Sequence, residues 1–192
     1  TVSADEMFKH YLYLSSTTST LRTHFEDAGK KYISKYKLNE KSLVVDIGSN
    51  DGVALVPLME QGIRVIGVEP ADNVAKIAND NGVNTINSYF NSDVVNTIKQ
   101  EYGNVDLLTA SNMFAHSDFL EEITNNVFDV LTEKGTFVIE VQYLLDTLRD
   151  LTFDNIYHEH VNYWSVTSLT TFFKRLGFCV VDVEHIDTHG GS

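Results

Sequence analysis

The side chains best suited to proton transfer crowd one short segment of the chain. Its ionisable and aromatic residues are Tyr157, His158, Glu159, His160, Tyr163 and Trp164. Histidine exchanges protons near neutral pH, and an adjacent carboxylate can orient its ring or raise its pKa. The segment therefore predicts an acid–base cluster, with a hydrogen-bonded surface loop as the alternative. Two histidines at i and i+2 with no third ligand nearby do not predict a metal site.

A second candidate site lies where an apolar run ends in an acid and opens into a turn. Residues 43–47 are apolar apart from Asp46, and the turn that follows carries Gly48 and Asn50. About 20 residues later a second apolar run ends in Glu69. Ligands of open α/β sheets bind outside the carboxyl ends of the strands. The turn lets a ligand approach the backbone closely, and Glu69 can hold the two hydroxyls of a ribose.

The residues of this turn discriminate between cofactors. Asn50 occupies the middle glycine position of the dinucleotide fingerprint, and no Lys-Ser/Thr pair follows, which excludes a phosphate-binding P-loop. A helix N-terminus that binds pyrophosphate favours anions, whereas this turn carries Asp46 and Asp51. Acids suit a cationic ligand, and S-adenosylmethionine (SAM) has a sulfonium, an ammonium and a ribose diol. The turn therefore predicts SAM as the cofactor, with a plain strand-to-helix turn as the alternative.

Two more polar residues follow the fourth predicted strand. Asn112 lies at the strand end, where an amide could hold the methionine part of SAM or the substrate. His116 lies slightly further on, at a place that faces the transferred group in this architecture. A histidine with a purely structural role is the alternative for His116.

The composition is that of a folded, acidic protein. Of the 192 residues, 43% are hydrophobic and 21% are charged, and the formal net charge is -13. This charge argues against a nucleic-acid partner or an anionic membrane surface, and no apolar run approaches the ~18 residues of a membrane span. Cys179 is the only cysteine, which excludes an internal disulfide and a Cys-x-x-Cys zinc site. Since the first residues do not read as a signal peptide, we expect a cytoplasmic protein.

The order of apolar and amphipathic segments predicts a parallel sheet covered by helices. Strands are predicted at 43–47, 63–68, 83–86, 105–110, 136–141 and about 178–185. Helices are predicted from Ser19 to about Tyr36 and at about 52–61, 73–80, 92–101, 118–132, 144–150 and 166–176. We expect residues 1–40 to form an N-terminal helical arm or lid, and residues 41–192 to form the SAM-binding core.

Several motifs along the chain occur together in one known family. They are Glu6-Met7-Phe8 with residues 11–16, residues 45–52, residues 67–71 with 73–75, residues 110–112 with Ala115-His116, residues 153–160 with Tyr163 and Ser165, and residues 188–192. In these motifs the chain resembles the SAM-dependent sugar C-methyltransferases, which methylate a carbon of a nucleotide-linked keto-deoxysugar. The resemblance covers nearly the whole chain, and the Tyr-His-Glu-His string and the His-Gly-Gly-Ser end are its most specific parts.

The resemblance implies a fold and a cofactor site. The fold is α/β: the Rossmann-like class I SAM methyltransferase fold, with a mostly parallel twisted sheet and helices on both faces, here expected to lack the last strand. The residues that the resemblance assigns to SAM are Asp46, Gly48, Asn50 and Asp51 in the turn, Glu69 on the ribose with Pro70 beside it, Asn87 or Ser88 near the adenine, and Asn112.

The resemblance also implies a reaction. In the family, a base removes the proton from the carbon beside a sugar ketone, and the resulting enolate attacks the SAM methyl group. His160 matches the base, Glu159 and Tyr157 match its partners, and His116 and one of Tyr11 or Tyr13 match further active-site groups.

The chain also departs from this family. Members of typical length add a small N-terminal zinc domain with cysteine ligands and a C-terminal domain that helps bind the nucleotide-sugar, and we expect neither in this chain, which corresponds to the catalytic core only. The expected partner is therefore a small molecule, with no prediction of oligomeric state. Two alternatives remain: an O- or N-methyltransferase for another small molecule, and a SAM-binding fragment that is inactive on its own.

Overall fold

A computed structural model describes Lys9, residues 14–188 and residues 191–192. The chain divides into two compact units. Unit 1 comprises Thr1–Ala110 and Asn126–Val138, and unit 2 comprises Ser111–Asn125 and Ile139–Ser192. Among the described residues, no helix combines the length and the apolarity that a membrane span requires.

Strands and helices alternate along the first two thirds of the chain. The strands are β1 (Leu43–Ile47), β2 (Arg64–Val68), β3 (Thr85–Ile86), β4 (Val105–Ser111) and β5 (Leu131–Glu140). The helices are α1 (Ser19–Tyr36), α2 (Val56–Met59), α3 (Asp72–Asp80), α4 (Ser92–Glu101), α5 (Leu120–Val130), α6 (Leu144–Arg149) and α7 (Val166–Arg175). Short 3-10 turns occur at Ser15–Thr17 and Phe153–Asn155.

The strands form one sheet in the order β3-β2-β1-β4-β5. The pairs β1–β2, β1–β4 and β2–β3 are parallel, and Val45 lies opposite both Ile66 and Leu108. The chain progresses from β1 towards β3 on one side and from β4 to β5 on the other, so the topological switch point lies between β1 and β4. Open α/β sheets bind their ligands outside the strand ends at such a point.

The core of unit 1 explains why the first strand is the easiest to predict. All five residues of β1 are buried, as expected for a parallel strand covered on both faces. Val44 belongs to a hydrophobic cluster whose other buried members are Leu38, Leu55, Leu58, Ile63, Ala78, Val83 and Leu107. The carboxyl end of β1 is thus fixed by packing on both sides, which gives the turn after it a rigid base.

Unit 2 is built around a cluster of aromatic rings. The ring of Phe114 lies within 6 Å, centroid to centroid, of the rings of Trp164, Phe172 and Phe173. Helix α7 begins with a capping box, in which the Ser165 and Ser168 side chains each accept from the other's backbone amide. The aromatic cluster and the capped helix fix the end of the segment that carries the predicted acid–base residues.

The predicted strand at about 178–185 is wrong, because no strand is present in residues 178–188. Its apolar residues are exposed, with Val181 at 80% and Val183 at 57% of their full exposure. A strand requires a hydrogen-bonded neighbour, whereas here the amides of Ile186 and Ser192 bond to each other's carbonyl groups and close a turn. The described sheet therefore has five strands rather than the six predicted.

Candidate active site

The turn after β1 takes its shape from three residues in left-handed backbone conformation. Their φ angles are +69° for Gly48, +50° for Asn50 and +82° for Gly52. Asparagine is one of the few residues that adopt this conformation readily, which explains how Asn50 replaces a glycine of the usual fingerprint. Gly52 leaves no space for a side chain, because a Cβ there would lie 2.9 Å from Val83 Cγ2.

Glu69 is fixed at the end of β2 by backbone amides. Its Oε2 accepts from the backbone amide of Asn50 and its Oε1 from the backbone amide of Ala71, both at 2.9 Å. The side chain is only 7% exposed, and burial raises the pKa of its carboxyl group. Each carboxylate oxygen retains acceptor capacity beyond one bond, so this oriented carboxylate can still accept from ribose hydroxyls.

The other predicted cofactor residues of unit 1 also lie near the strand ends. Asp46 is buried, and its Oδ1 accepts from the Thr109 hydroxyl at 2.6 Å. Asn87 donates its amide to the carbonyl groups of Glu69 and Pro70, at 3.0 and 3.2 Å. Asn87 therefore stabilises the turn after β2 with its amide hydrogens. Ser88 follows β3, where its hydroxyl donates to the carbonyl of Tyr89.

Asp51 provides a test of whether this turn suits SAM. The side chain is 3% exposed, its Oδ2 accepts from the amide of Ser16, and its Oδ1 is buried without a hydrogen-bond partner in the described part of the chain. A buried carboxylate oxygen without a donor is energetically costly. A cationic group such as an ammonium would remove that cost, so this carboxylate acceptor fits the predicted cofactor.

In unit 2, Asn112 joins the ends of two strands. Its backbone amide donates to the backbone carbonyl of Glu140 at 2.8 Å, and its side-chain Nδ2 lies 3.5 Å from Glu140 Oε1. Glu140 is 9% exposed and also lies 3.4 Å from the Thr188 hydroxyl. Glu140 was not among the residues predicted from the sequence. A signal for it was present, since an acid follows an apolar run at Glu140 as it does at Asp46 and Glu69.

His160 is buried and contacts a partner through each ring nitrogen. Its Nδ1 lies 2.9 Å from the carbonyl of Asn155, and its Nε2 lies 3.1 Å from the Tyr157 hydroxyl. A carbonyl oxygen can only accept, so we assign the hydrogen to Nδ1. When the ring is neutral, its lone pair is then on Nε2, and this nitrogen accepts a hydrogen bond from the Tyr157 hydroxyl.

His116 repeats this arrangement next to His160. Its Nδ1 lies 3.1 Å from the carbonyl of Glu159, which assigns the hydrogen to Nδ1. The two imidazole rings are 4.8 Å apart and meet edge to face. Burial, together with the nearby His160, lowers the pKa of His116 to about 4, so His116 is neutral at physiological pH.

Of the remaining predicted catalytic residues, Glu159 and Tyr157 lie in the described part of the chain. Glu159 contacts His116 through its backbone carbonyl. Burial raises the pKa of the Tyr157 hydroxyl, and the neighbouring Glu159 and Tyr163 act in the same direction. Tyr13, like Tyr11, lies outside the described residues. No group of three or more potential ligands in the described part of the chain could hold a metal ion.

The structure thus brings the predicted residues together in two groups, one in each unit. Unit 1 contains Asp46, Gly48, Asn50, Asp51, Glu69, Pro70, Asn87 and Ser88. Unit 2 contains Asn112, His116, Tyr157, Glu159 and His160. The first group suits a cofactor with cations and a ribose, and the second suits proton transfer.

Comparison with known proteins shows the family of the chain. Residues 7–183 match the methyltransferase domain family. The C-methyltransferase NovU of Streptomyces niveus is 38% identical over 191 residues, which cover 100% of this chain and 46% of NovU. The chain therefore spans just under half the length of that relative.

Solved structures share the fold at lower identity. A SAM-dependent methyltransferase from Archaeoglobus fulgidus has a TM-score of 0.66 and 23% identity, over 86% of this chain and 73% of its own. Magnesium protoporphyrin IX methyltransferase (ChlM) from Synechocystis PCC 6803, solved with bound SAH, has a TM-score of 0.64 and 12% identity, over 88% and 78%. The predicted fold class is confirmed, as are SAM as cofactor and methyltransferase as enzyme class at the level of the family. The chain belongs to the methyltransferase domain family of SAM-dependent enzymes.

Proposed function

We propose that this chain is the catalytic core of a SAM-dependent C-methyltransferase that acts on a nucleotide-linked keto-deoxysugar. The observation that carries the proposal is the buried His160, whose Nδ1 lies 2.9 Å from the carbonyl of Asn155 and whose Nε2 lies 3.1 Å from the Tyr157 hydroxyl. The likeness to NovU, named a C-methyltransferase, supports transfer to carbon. We further propose an N-terminal arm at residues 1–40, a core at 41–192, and a cytoplasmic location in keeping with the acidic chain and its single cysteine.

His160 acts as the general base in this proposal. Its Nε2 takes the proton from the carbon beside the sugar ketone, and the electron pair of the broken C–H bond forms an enolate. The imidazolium that results donates from Nδ1 to the carbonyl of Asn155, a hydrogen bond that strengthens when the ring is charged. The base His160 and the Asn155 carbonyl that accepts from its imidazolium are thus in place before the substrate binds.

Tyr157 has two successive roles. Without substrate, its hydroxyl donates to Nε2 of His160. When it turns to the ketone oxygen of the substrate, it frees Nε2 and donates to the developing oxyanion, an interaction that enzymes use to lower the barrier to enolate formation. His116, neutral at physiological pH, contacts the backbone carbonyl of Glu159 and lies edge to face against the ring of His160.

The residues of unit 1 bind the cofactor. Glu69 would accept from the ribose hydroxyls, and Asp51 Oδ1, which is buried without a partner among the described residues, would accept from the ammonium. When bound, SAM would supply an electrophilic methyl group for the enolate carbon, with SAH as the leaving group.

Titration calorimetry with SAM and with its demethylated product SAH tests the cofactor site. We expect micromolar binding, about -8 kcal/mol, and a loss of at least about tenfold in Glu69→Ala, because the oriented carboxylate is removed. Glu60→Ala is the matched control, since it removes one exposed carboxylate and should bind as the unchanged chain does. Equal affinity in the two variants would contradict the role of Glu69.

Hydrogen exchange into the substrate tests the reaction class. A nucleoside diphosphate-linked 4-keto-6-deoxyhexose is incubated with the chain in deuterated water without SAM, and deuterium beside the ketone is measured by NMR. We expect exchange with the unchanged chain and a loss of about 100-fold or more in His160→Asn. Methyl transfer to oxygen or nitrogen without exchange would favour the alternative O- or N-methyltransferase.

A second candidate function is a SAM-binding fragment that has no activity on its own. The observation that favours it is length, since the chain corresponds to 46% of NovU. Transfer of a labelled methyl group from SAM to the sugar by the isolated chain would exclude this candidate.

A further inference from the structure

Two backbone amides from far earlier in the chain contact the predicted cofactor turn. The amide of Ser15 donates to Asn50 Oδ1 at 3.1 Å, and the amide of Ser16 donates to Asp51 Oδ2 at 3.0 Å. Donor and acceptor are 35 residues apart in each case. Both donors belong to the 3-10 turn Ser15–Thr17 that precedes helix α1.

The two acceptors are buried and are part of a longer hydrogen-bond network. Asn50 and Asp51 are 8% and 3% exposed. Asn50 Oδ1 also accepts from the amide of Asp51, and the amide of Asn50 donates to Glu69 Oε2. A continuous set of hydrogen bonds therefore runs from the N-terminal turn, through Asn50, to the carboxylate assigned to the ribose.

A second contact lies at the neighbouring turn of the same unit. The carbonyl of Lys9 accepts from the amide of Asp72, the first residue of α3, at 3.3 Å. The described N-terminal residues thus bond to the turn after β1 and to the turn after β2. These are the two turns that carry the acids assigned to SAM.

The Ser16 amide also determines what Asp51 can offer a ligand. One carboxylate oxygen is occupied by this amide, which fixes the rotation of the side chain, while the other oxygen is buried without a partner among the described residues. Without the amide, both oxygens could turn, and the carboxylate would have to be ordered when the ligand binds. Ordering a group at the moment of binding weakens affinity.

We propose that the amides of Ser15 and Ser16 are positioning groups of the cofactor site. They fix the side chains of Asn50 and Asp51, so cofactor affinity depends on the N-terminal turn. By linkage, a bound cofactor stabilises these two hydrogen bonds in return. The inference rests on the cofactor site proposed above.

The variant Ser15→Pro tests the inference without altering the cofactor turn. Proline removes the Ser15 amide hydrogen and suits the first position of a helical turn. The preceding residue, Leu14, has φ -104° and ψ 116°, an extended conformation that a following proline favours. Ser15→Ala is the matched control, because it removes the side-chain hydroxyl and keeps the amide.

SAH affinity, thermal unfolding and amide exchange are measured on the whole chain. We expect the dissociation constant for SAH to rise about 5- to 10-fold in Ser15→Pro and by less than about twofold in Ser15→Ala. The melting temperatures without ligand should agree, which separates positioning from general stability. Addition of SAH should slow hydrogen exchange at the amides of Ser15 and Ser16 in the unchanged chain.

The outcomes distinguish the inference from the proposed function. If the unchanged chain binds SAH and Ser15→Pro binds it equally well, the inference is wrong and the cofactor site stands. An equal loss in Ser15→Ala would also overturn the inference, because it would assign the effect to the hydroxyl. If the unchanged chain does not bind SAH, the proposed function fails and the inference fails with it.

Discussion

His116 and His160 owe their chemistry to the atoms on their Nδ1 side. In both rings Nδ1 faces a backbone carbonyl, of Asn155 for His160 and of Glu159 for His116. A carbonyl cannot donate, so each neutral ring has its lone pair on Nε2. In His160 this Nε2 accepts the hydrogen bond from the Tyr157 hydroxyl.

The low pKa of His116 predicts a loss of stability in mild acid. The ring has a pKa of about 4 in the folded chain and 6.5 as an isolated group. Below pH 6.5 the unfolded chain therefore binds a proton that the folded chain does not, and the free energy of unfolding falls until the pH reaches the folded pKa. Urea unfolding should show that the unchanged chain loses about 1 to 2 kcal/mol more than His116→Gln between about pH 7 and pH 5.

A matched control for this prediction is His158→Gln, which removes an exposed histidine from the same unit. It should retain the pH dependence of the unchanged chain. If His116→Gln and His158→Gln have the same pH profile, His116 does not remain neutral on folding and its assigned hydrogen-bonding pattern is wrong.

The sequence predicts which residues form the proton-transfer cluster better than it predicts which of their atoms make the contacts. The crowding of histidine, glutamate and tyrosine predicts a proton-transfer cluster, and the rings of His116 and His160 do meet. The contact between Glu159 and His116, however, involves the backbone carbonyl of Glu159, which depends on the path of the chain. The same holds for the amides of Ser15 and Ser16, since every residue except proline carries one.

Among the elements, the turn after β1 packs closely against strand β2. Gly67 in β2 lies against the Ser49 side chain, and a Cβ at Gly67 would lie 2.5 Å from Ser49 Oγ and 2.8 Å from Thr85 Oγ1. Ser49 Oγ is itself buried without a partner in the described residues. Glycine therefore permits the close approach of the turn after β1 to the adjacent strand.

This packing predicts that Gly67→Ala destabilises the chain by about 1 to 3 kcal/mol, because the added methyl group must displace buried atoms. Urea unfolding near neutral pH measures the effect. Ser49→Gly removes two of the three closest atoms, so the double variant should recover a large part of the loss. If the double variant is as unstable as the sum of the single variants, the clash with Ser49 is not the cause.

The success of strand prediction follows from the surroundings that each strand requires. Strand β1 is apolar apart from Asp46 and is buried along its whole length, so its pattern and its environment agree. Residues 178–185 alternate in the same way as a strand, yet a ladder also requires a neighbour, and the chain closes a turn between Ile186 and Ser192 instead. The pattern of a single segment does not encode whether that neighbour is available.

For the whole molecule, the dominant physical property is its negative charge. The 27 acidic residues outnumber the 14 basic residues, for a formal net charge of -13. Several of the basic side chains are already paired with carboxylates: Lys30 with Asp27, Lys76 with Asp80, Lys99 with Asp129, Arg149 with Asp146 and Asp150, and Arg175 with Glu121. The nucleotide-sugar proposed above as the substrate is anionic and would approach a repulsive surface, whereas SAH, with one ammonium and one carboxylate, would not.

This charge predicts an unusual dependence of substrate affinity on salt. Raising the ionic strength from about 20 to 200 mM shortens the distance over which charges interact. The dissociation constant for a nucleoside diphosphate-linked ketosugar should therefore fall by about two- to fivefold, while that for SAH should change by less than about twofold. Both are measured by calorimetry on the same preparation. A substrate affinity that weakens with salt would mean that a local group of basic residues outweighs the net charge, and would direct mutagenesis to the lysines and arginines nearest the site.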